Sequence, residues 1–120
     1  MRKLVALAIA VVGVSAIAVW SARAVDESGE VTVKGEVLDM ACYLDHGASG
    51  EKHAECAKMC ISSGLPVGIK GTDGKTYLLI GEHKPLNSVL AEYAGKMITV
   101  KGKLVSRDGI NMISNVEVVK

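Results

Sequence analysis

Two stretches far apart in the chain carry the same four residues in the same alternating setting. Thr32-Val33-Lys34-Gly35 lies within residues 31–37, and Thr99-Val100-Lys101-Gly102 within residues 97–106. Apolar residues recur at every second position, Val31, Val33 and Val37 in the first stretch and Ile98, Val100 and Leu104 in the second. Thr32, Lys34 and Glu36, and Thr99, Lys101 and Lys103, alternate with them. That is the pattern of a strand with one face buried. Both times the glycine falls on the apolar face, where a missing side chain permits a bend or a bulge. Four shared residues are too few for a duplicated unit. The echo reads as a common need to bend in two curled strands.

The remaining pattern supplies the partners. Strands are expected at 31–39, 66–70, 75–80, 97–106 and 110–119, with turns at Thr72-Asp73-Gly74 and Arg107-Asp108-Gly109. Residues 45–51 read as a loop, and Cys42 as part of the loop leaving the first strand. From Glu51 the composition turns helical, with Ser49 or Gly50 to cap the start and Gly64 and Pro66 to end it. Pro85 opens a second helix whose Leu86, Val89, Leu90, Tyr93 and Ala94 form an amphipathic stripe before Gly95. This order predicts a mainly β protein, an OB-fold-like five-stranded Greek-key barrel. A Cys-bearing helical insertion, residues 40–65, follows strand 1, and a helix lies between strands 3 and 4. The closing stretch GKMITVKGKLVSRDGINMISNVEVV resembles the last hairpin of small exported bacterial OB-fold proteins. The pattern CYL…HxxCAxxCIxxGxPxG, set by Cys42, His53, Cys56, Cys60, Gly64, Pro66 and Gly68, also resembles exported bacterial proteins of uncharacterised function. That second likeness covers about a quarter of the chain and implies no activity.

The amino terminus has a different character. Arg2 and Lys3 precede an uncharged apolar run from Leu4 to Trp20, and Ser21-Ala22-Arg23-Ala24 supplies an A-x-A cleavage site. Residues 1–24 are therefore expected to be a signal peptide, with 25–30 a tether and 31–120 the domain. An uncleaved anchor is the alternative, since the run is close to the ~17–25 residues a spanning helix needs. Cleavage implies export to a periplasmic or secreted location, without stable membrane insertion afterwards. It also removes three basic residues, leaving 11 against 13 acidic ones and a net charge of −2. Neither that charge nor the three remaining aromatics, Tyr43, Tyr77 and Tyr93, suits nucleic acid.

Chemistry concentrates between residues 39 and 68, which hold Cys42, Cys56, Cys60, His46, His53 and Met59. On a continuous helix, His53, Cys56 and Cys60 would share one narrow face, with Cys42 able to fold back across it. Three thiolates and an imidazole are donors that Zn²⁺ accepts in a tetrahedron and that also attract Cu⁺. Met59 and His46 are reserve ligands. The alternative is a disulfide from Cys42 to Cys56 or Cys60, stapling the insertion of a domain that holds a protein partner. Thiol-redox chemistry is a third reading. A c-type haem site would need C-x-x-C-H, which is not present. Asp39, Asp45, Glu51 and Glu55 read as a solvated acidic face, His83 as a surface residue, and no enzyme class stands out.

Overall fold

The computed structural model describes residues 29–120; the expected leader and most of the tether lie outside them. Five strands close into a barrel: β1 (Gly29–Asp39), β2 (Val67–Gly71), β3 (Thr76–Leu79), β4 (Met97–Arg107) and β5 (Ile110–Val119), in the order β1-β2-β3-β5-β4. Closure comes from β3 running parallel to β5, with Leu78 against Met112 and Leu79 against Ile113, and from β4 returning to β1. This is an OB-fold-like barrel. Gly29 and Glu30, expected in the tether, already pair with Leu104 and Lys103.

Both echoed glycines sit where the backbone departs from a simple ladder. β1 pairs with β4 along residues 29–36 and with β2 along 35–39, so Gly35 faces Ile98 on one side and Gly71 on the other. Opposite Gly102 the β4–β5 register shifts between Lys101 and Lys103, where β5 carries the extra residue as a bulge at Asn115–Val116. The two echoed segments are in fact neighbours, with Val33 opposite Val100. Their apolar faces meet in a core of Val33, Val37, Ile69, Tyr77, Leu79, Val100, Leu104 and Ile113.

Two connections plug the barrel. Between β1 and β2 run α1 (Met40–His46), a 3-10 turn (Glu51–His53) and α2 (Ala54–Ser62). Between β3 and β4 run α3 (Asn87–Leu90) and a second 3-10 turn (Ala91–Tyr93). α2 contributes Ala57 and Ile61 to the core, and the second connection contributes Leu90, Ala91 and Ala94. The two plugs are tied together. Asn87 Nδ2 donates to the carbonyls of Ile61 and Leu65 at 2.9 and 2.7 Å, and Lys58 meets Glu92 at 3.2 Å.

Three local expectations need correction. Cys42 is not on a loop, because Asp39 caps a helical turn that begins at Met40 and Gly47 ends it in the left-handed conformation. The helix expected from Glu51 starts as a 3-10 turn and becomes α-helical only at Ala54. The helix after Pro85 is a single α-turn followed by a 3-10 turn, so the stripe breaks. Leu90 and Ala94 are buried, whereas Val89 faces solvent.

The β2–β3 hairpin carries a titratable contact. The buried Tyr77 hydroxyl donates to Asp73 Oδ2 at 2.6 Å, and the Lys75 N–H donates to Oδ1 at 2.9 Å. These bonds, the tyrosine's first, hold the Asp73 carboxyl below its ordinary value. A depressed folded-state pKa stabilises the fold above the unfolded value, and that contribution disappears as pH falls through the folded one. Asp73 is exposed, so the effect is modest. Tyr77→Phe is expected to lose about 1 kcal/mol at pH 7. In urea titrations the gap from wild type should shrink below pH ~4 as the carboxylate takes up its proton. A gap independent of pH would show that packing, not the charged bond, is what the hydroxyl provides.

Candidate metal centre

Asp39 ends β1 as it enters the plug. Its Oδ1 accepts from the Ala41 N–H at 3.0 Å and so caps α1, while the Met40 N–H donates to the Pro66 carbonyl at 2.9 Å. The side chain is only 1% exposed. Position 42 is thereby held on the first turns of α1, next to the end of β1. The loop beyond α1 is anchored by the Glu36 carboxylate, which accepts from the Gly50 N–H. This anchoring fixes where the 3-10 turn starts and thus where His53 stands. α2 then presents Cys56 and Cys60 one turn apart, with Ala57 and Ile61 packed into the barrel.

The donors form two groups that share one member. Cys42 Sγ, a His53 ring nitrogen and Cys56 Sγ all lie within 4.8 Å of one another. So do an Asp39 carboxylate oxygen, Cys42 Sγ and Cys60 Sγ. All three cysteines are free thiols here. Cys56 is exposed, while Cys42, Cys60 and His53 are half-buried. The second group thus runs inward to the barrel wall, and the first opens towards solvent.

Of the donors expected from sequence, Cys42, His53, Cys56 and Cys60 are all brought together, though not as one tetrahedron. His53 is the last residue of the 3-10 turn rather than part of α2, so it approaches Cys42 and Cys56 without joining Cys60. The reserve ligands stand outside both groups. Met59 is 73% exposed on the outer side of α2. His46 ends α1, lies 3.3 Å from Asp45 Oδ2, and meets the His53 ring edge-on with 6.5 Å between centroids.

Asp39 corrects the expectation of a solvated acidic face. Asp45, Glu51 and Glu55 are exposed, but Asp39 is buried among the thiols. A helix-capping signature was present, an aspartate between the apolar Val37-Leu38 and the helix-forming Met40-Ala41. Among the described residues, Asp39 Oδ2 has no hydrogen-bond partner of good geometry, and neither has His53 Nε2. Thiol protons, which are weak donors, are what Cys42 and Cys60 offer the carboxylate. Hydrogen bonding to Asp39 raises both thiols, reinforced by burial and by the carboxylate's charge. Cys42 is pushed up to about 12. Without a cation the cluster therefore keeps these two thiols protonated. No family model, curated protein or solved structure matches this chain.

Proposed function

We propose that the chain is an exported metal-binding or metal-handling module, with Cys42, His53, Cys56, Cys60 and Asp39 as its ligands. The observation that carries this reading is the pair of orphaned atoms. Among the described residues, Asp39 Oδ2 and His53 Nε2 are buried side-chain atoms without a hydrogen-bond partner of good geometry, and both residues belong to the donor groups. An unpaired buried polar atom costs roughly 1–3 kcal/mol. Carboxylate oxygen, imidazole nitrogen and thiolate sulfur are all donors that a bound cation such as Zn²⁺ accepts. Thiolate and imidazole suit both Cu⁺ and Zn²⁺, and the buried carboxylate favours Zn²⁺, which takes oxygen, nitrogen and sulfur ligands alike.

The raised thiols give the binding its pH dependence. Each thiol must lose a proton to bind as thiolate, so affinity climbs as pH rises and falls as pH drops. Titration of the reduced chain with Zn²⁺ and Cu⁺ against a competing chelator is expected to show tighter binding at pH 8 than at pH 6. The Cys56→Ser, Cys60→Ser double variant should bind far more weakly at both. Equal affinity of wild type and double variant would overturn the reading. The alternative would then take its place, a disulfide from Cys42 to Cys56 or Cys60 in a domain that docks a protein partner. One observation favours that alternative. Leu44 and Ile110, 74% and 62% exposed, flank an apolar cleft of about 350 Å³ beside α1.

A further inference from the structure

We propose that this centre holds two ions rather than one, joined by the Cys42 thiolate as a bridge. The inference rests on the metal-binding reading and goes beyond it in stoichiometry and in the role of a single sulfur. One ion would be held by Cys42, His53 and Cys56, the other by Asp39, Cys42 and Cys60.

Three observations carry it. Among the described residues, the donor atoms fall into two groups whose sole common member is Cys42, so Cys56 belongs to one and Cys60 to the other. A tetrahedral ion with ~2.3 Å bonds to sulfur sets its ligands roughly 3.8 Å apart. Spacings within 4.8 Å allow each group to close on its own ion by small side-chain movements. Each group, moreover, contains its own orphan. His53 belongs to the outer group and Asp39 to the inner one, and each has a buried side-chain atom, Nε2 and Oδ2, with no well-placed hydrogen-bond partner among the described residues, so an ion held by one group alone leaves the other residue as it was.

Charge points the same way. Asp39 and the three thiolates carry four negative charges once the thiols ionise, and two Zn²⁺ ions balance them. One ion would leave two negative charges uncompensated beside a carboxylate that is 1% exposed. A thiolate sulfur has lone pairs enough to bind two metals. Each ion would then have three protein donors, with its fourth position open to water or to an incoming ligand, as in zinc sites that exchange or activate what they bind. The outer ion lies beside exposed Cys56, the side from which an ion would enter or leave.

The test is to load the reduced full chain with Co²⁺, a paramagnetic stand-in for Zn²⁺, and count bound ions by native mass spectrometry while following its magnetic signal. Wild type is expected to bind two, the second adding less signal than the first because spins across a shared thiolate couple antiparallel. Asp39→Asn, which keeps the Oδ1 cap on α1, should bind one, and so should Cys60→Ser should the Asn variant fold poorly. Cys56→Ser should also bind one. A wild-type stoichiometry of one overturns the bridge and leaves the single-ion reading standing. Two ions whose signals simply add, or two still bound by both Asp39→Asn and Cys60→Ser, overturn it as well. No tight binding at all brings down both readings together.

Discussion

Cys42→Ser is expected to weaken Zn²⁺ binding by more than ~100-fold, beyond the ~10–100-fold typical of removing a partner that merely supports a ligand. Cys42 belongs to both donor groups, so its loss leaves His53 with Cys56 on one side and Asp39 with Cys60 on the other. Two donors do not hold an ion against water and a chelator. Serine keeps the size and the helix but does not ionise near neutral pH. Cys42 is half-buried on α1 and lies outside the barrel core. The variant should therefore unfold within about 0.5 kcal/mol of metal-free wild type. Cys56→Ser and Cys60→Ser each break one group, and their losses should be smaller than that of Cys42→Ser. The measurement is competition with a chromophoric chelator, with urea unfolding of the metal-free proteins beside it. If Cys42→Ser binds as tightly as either of the other variants, the central place given to this sulfur is wrong.

Why the sequence located this cluster but misjudged its form comes down to the reach of local signals. The barrel was legible because period-two alternation and an inward glycine are written into consecutive residues, as at Val31, Val33, Gly35 and Val37. The three cysteines and His53 were legible as a cluster because they crowd into one insertion. What could not be read was the path of the chain between them. α1 is only seven residues long, too short for its periodicity to stand out, so the capping signature at Asp39 had no recognisable helix to announce. The switch from 3-10 to α-helix at Ala54 changes the angle of His53 relative to Cys60, and Glu36, distant in sequence, anchors the Gly50 N–H just before it. Asp39 became a candidate donor only through burial, which depends on α1 and the Met40–Pro66 bond closing over it. Burial of that kind is a tertiary fact, and an aspartate among three other acidic residues gives no hint of it.

Gly35→Ala is expected to be among the most damaging single-methyl changes in the protein, because it strikes the residue that lets one strand serve two neighbours. At Gly35, β1 is hydrogen-bonded into β4 and β2 at once, and it is buried between them. A Cβ there would overlap the Lys70 carbonyl oxygen, lie 2.7 Å from its carbon and come within 2.9 Å of the Gly71 Cα. These are backbone atoms of β2, so no side chain can swing aside. β1 and β2 must part, or β1 must straighten and pull away from β4. Overpacking of a buried site costs typically ~1–3 kcal/mol, and a rigid backbone obstacle places this one at about 3 kcal/mol or above. For a domain of this size that is a fall of roughly 12–24 °C in the melting temperature. The damage should also reach the candidate metal centre, since Asp39 is four residues further along the same strand and pairs with Val67 in the β1–β2 ladder. Lys34→Ala, at the exposed neighbouring position, is the control and should stay within about 0.5 kcal/mol of wild type. Urea midpoints and Zn²⁺ affinities of the two variants decide the matter. A Gly35→Ala protein as stable as Lys34→Ala would mean that β1 does not need its bend, and the barrel closure drawn from the two echoed glycines would fail with it.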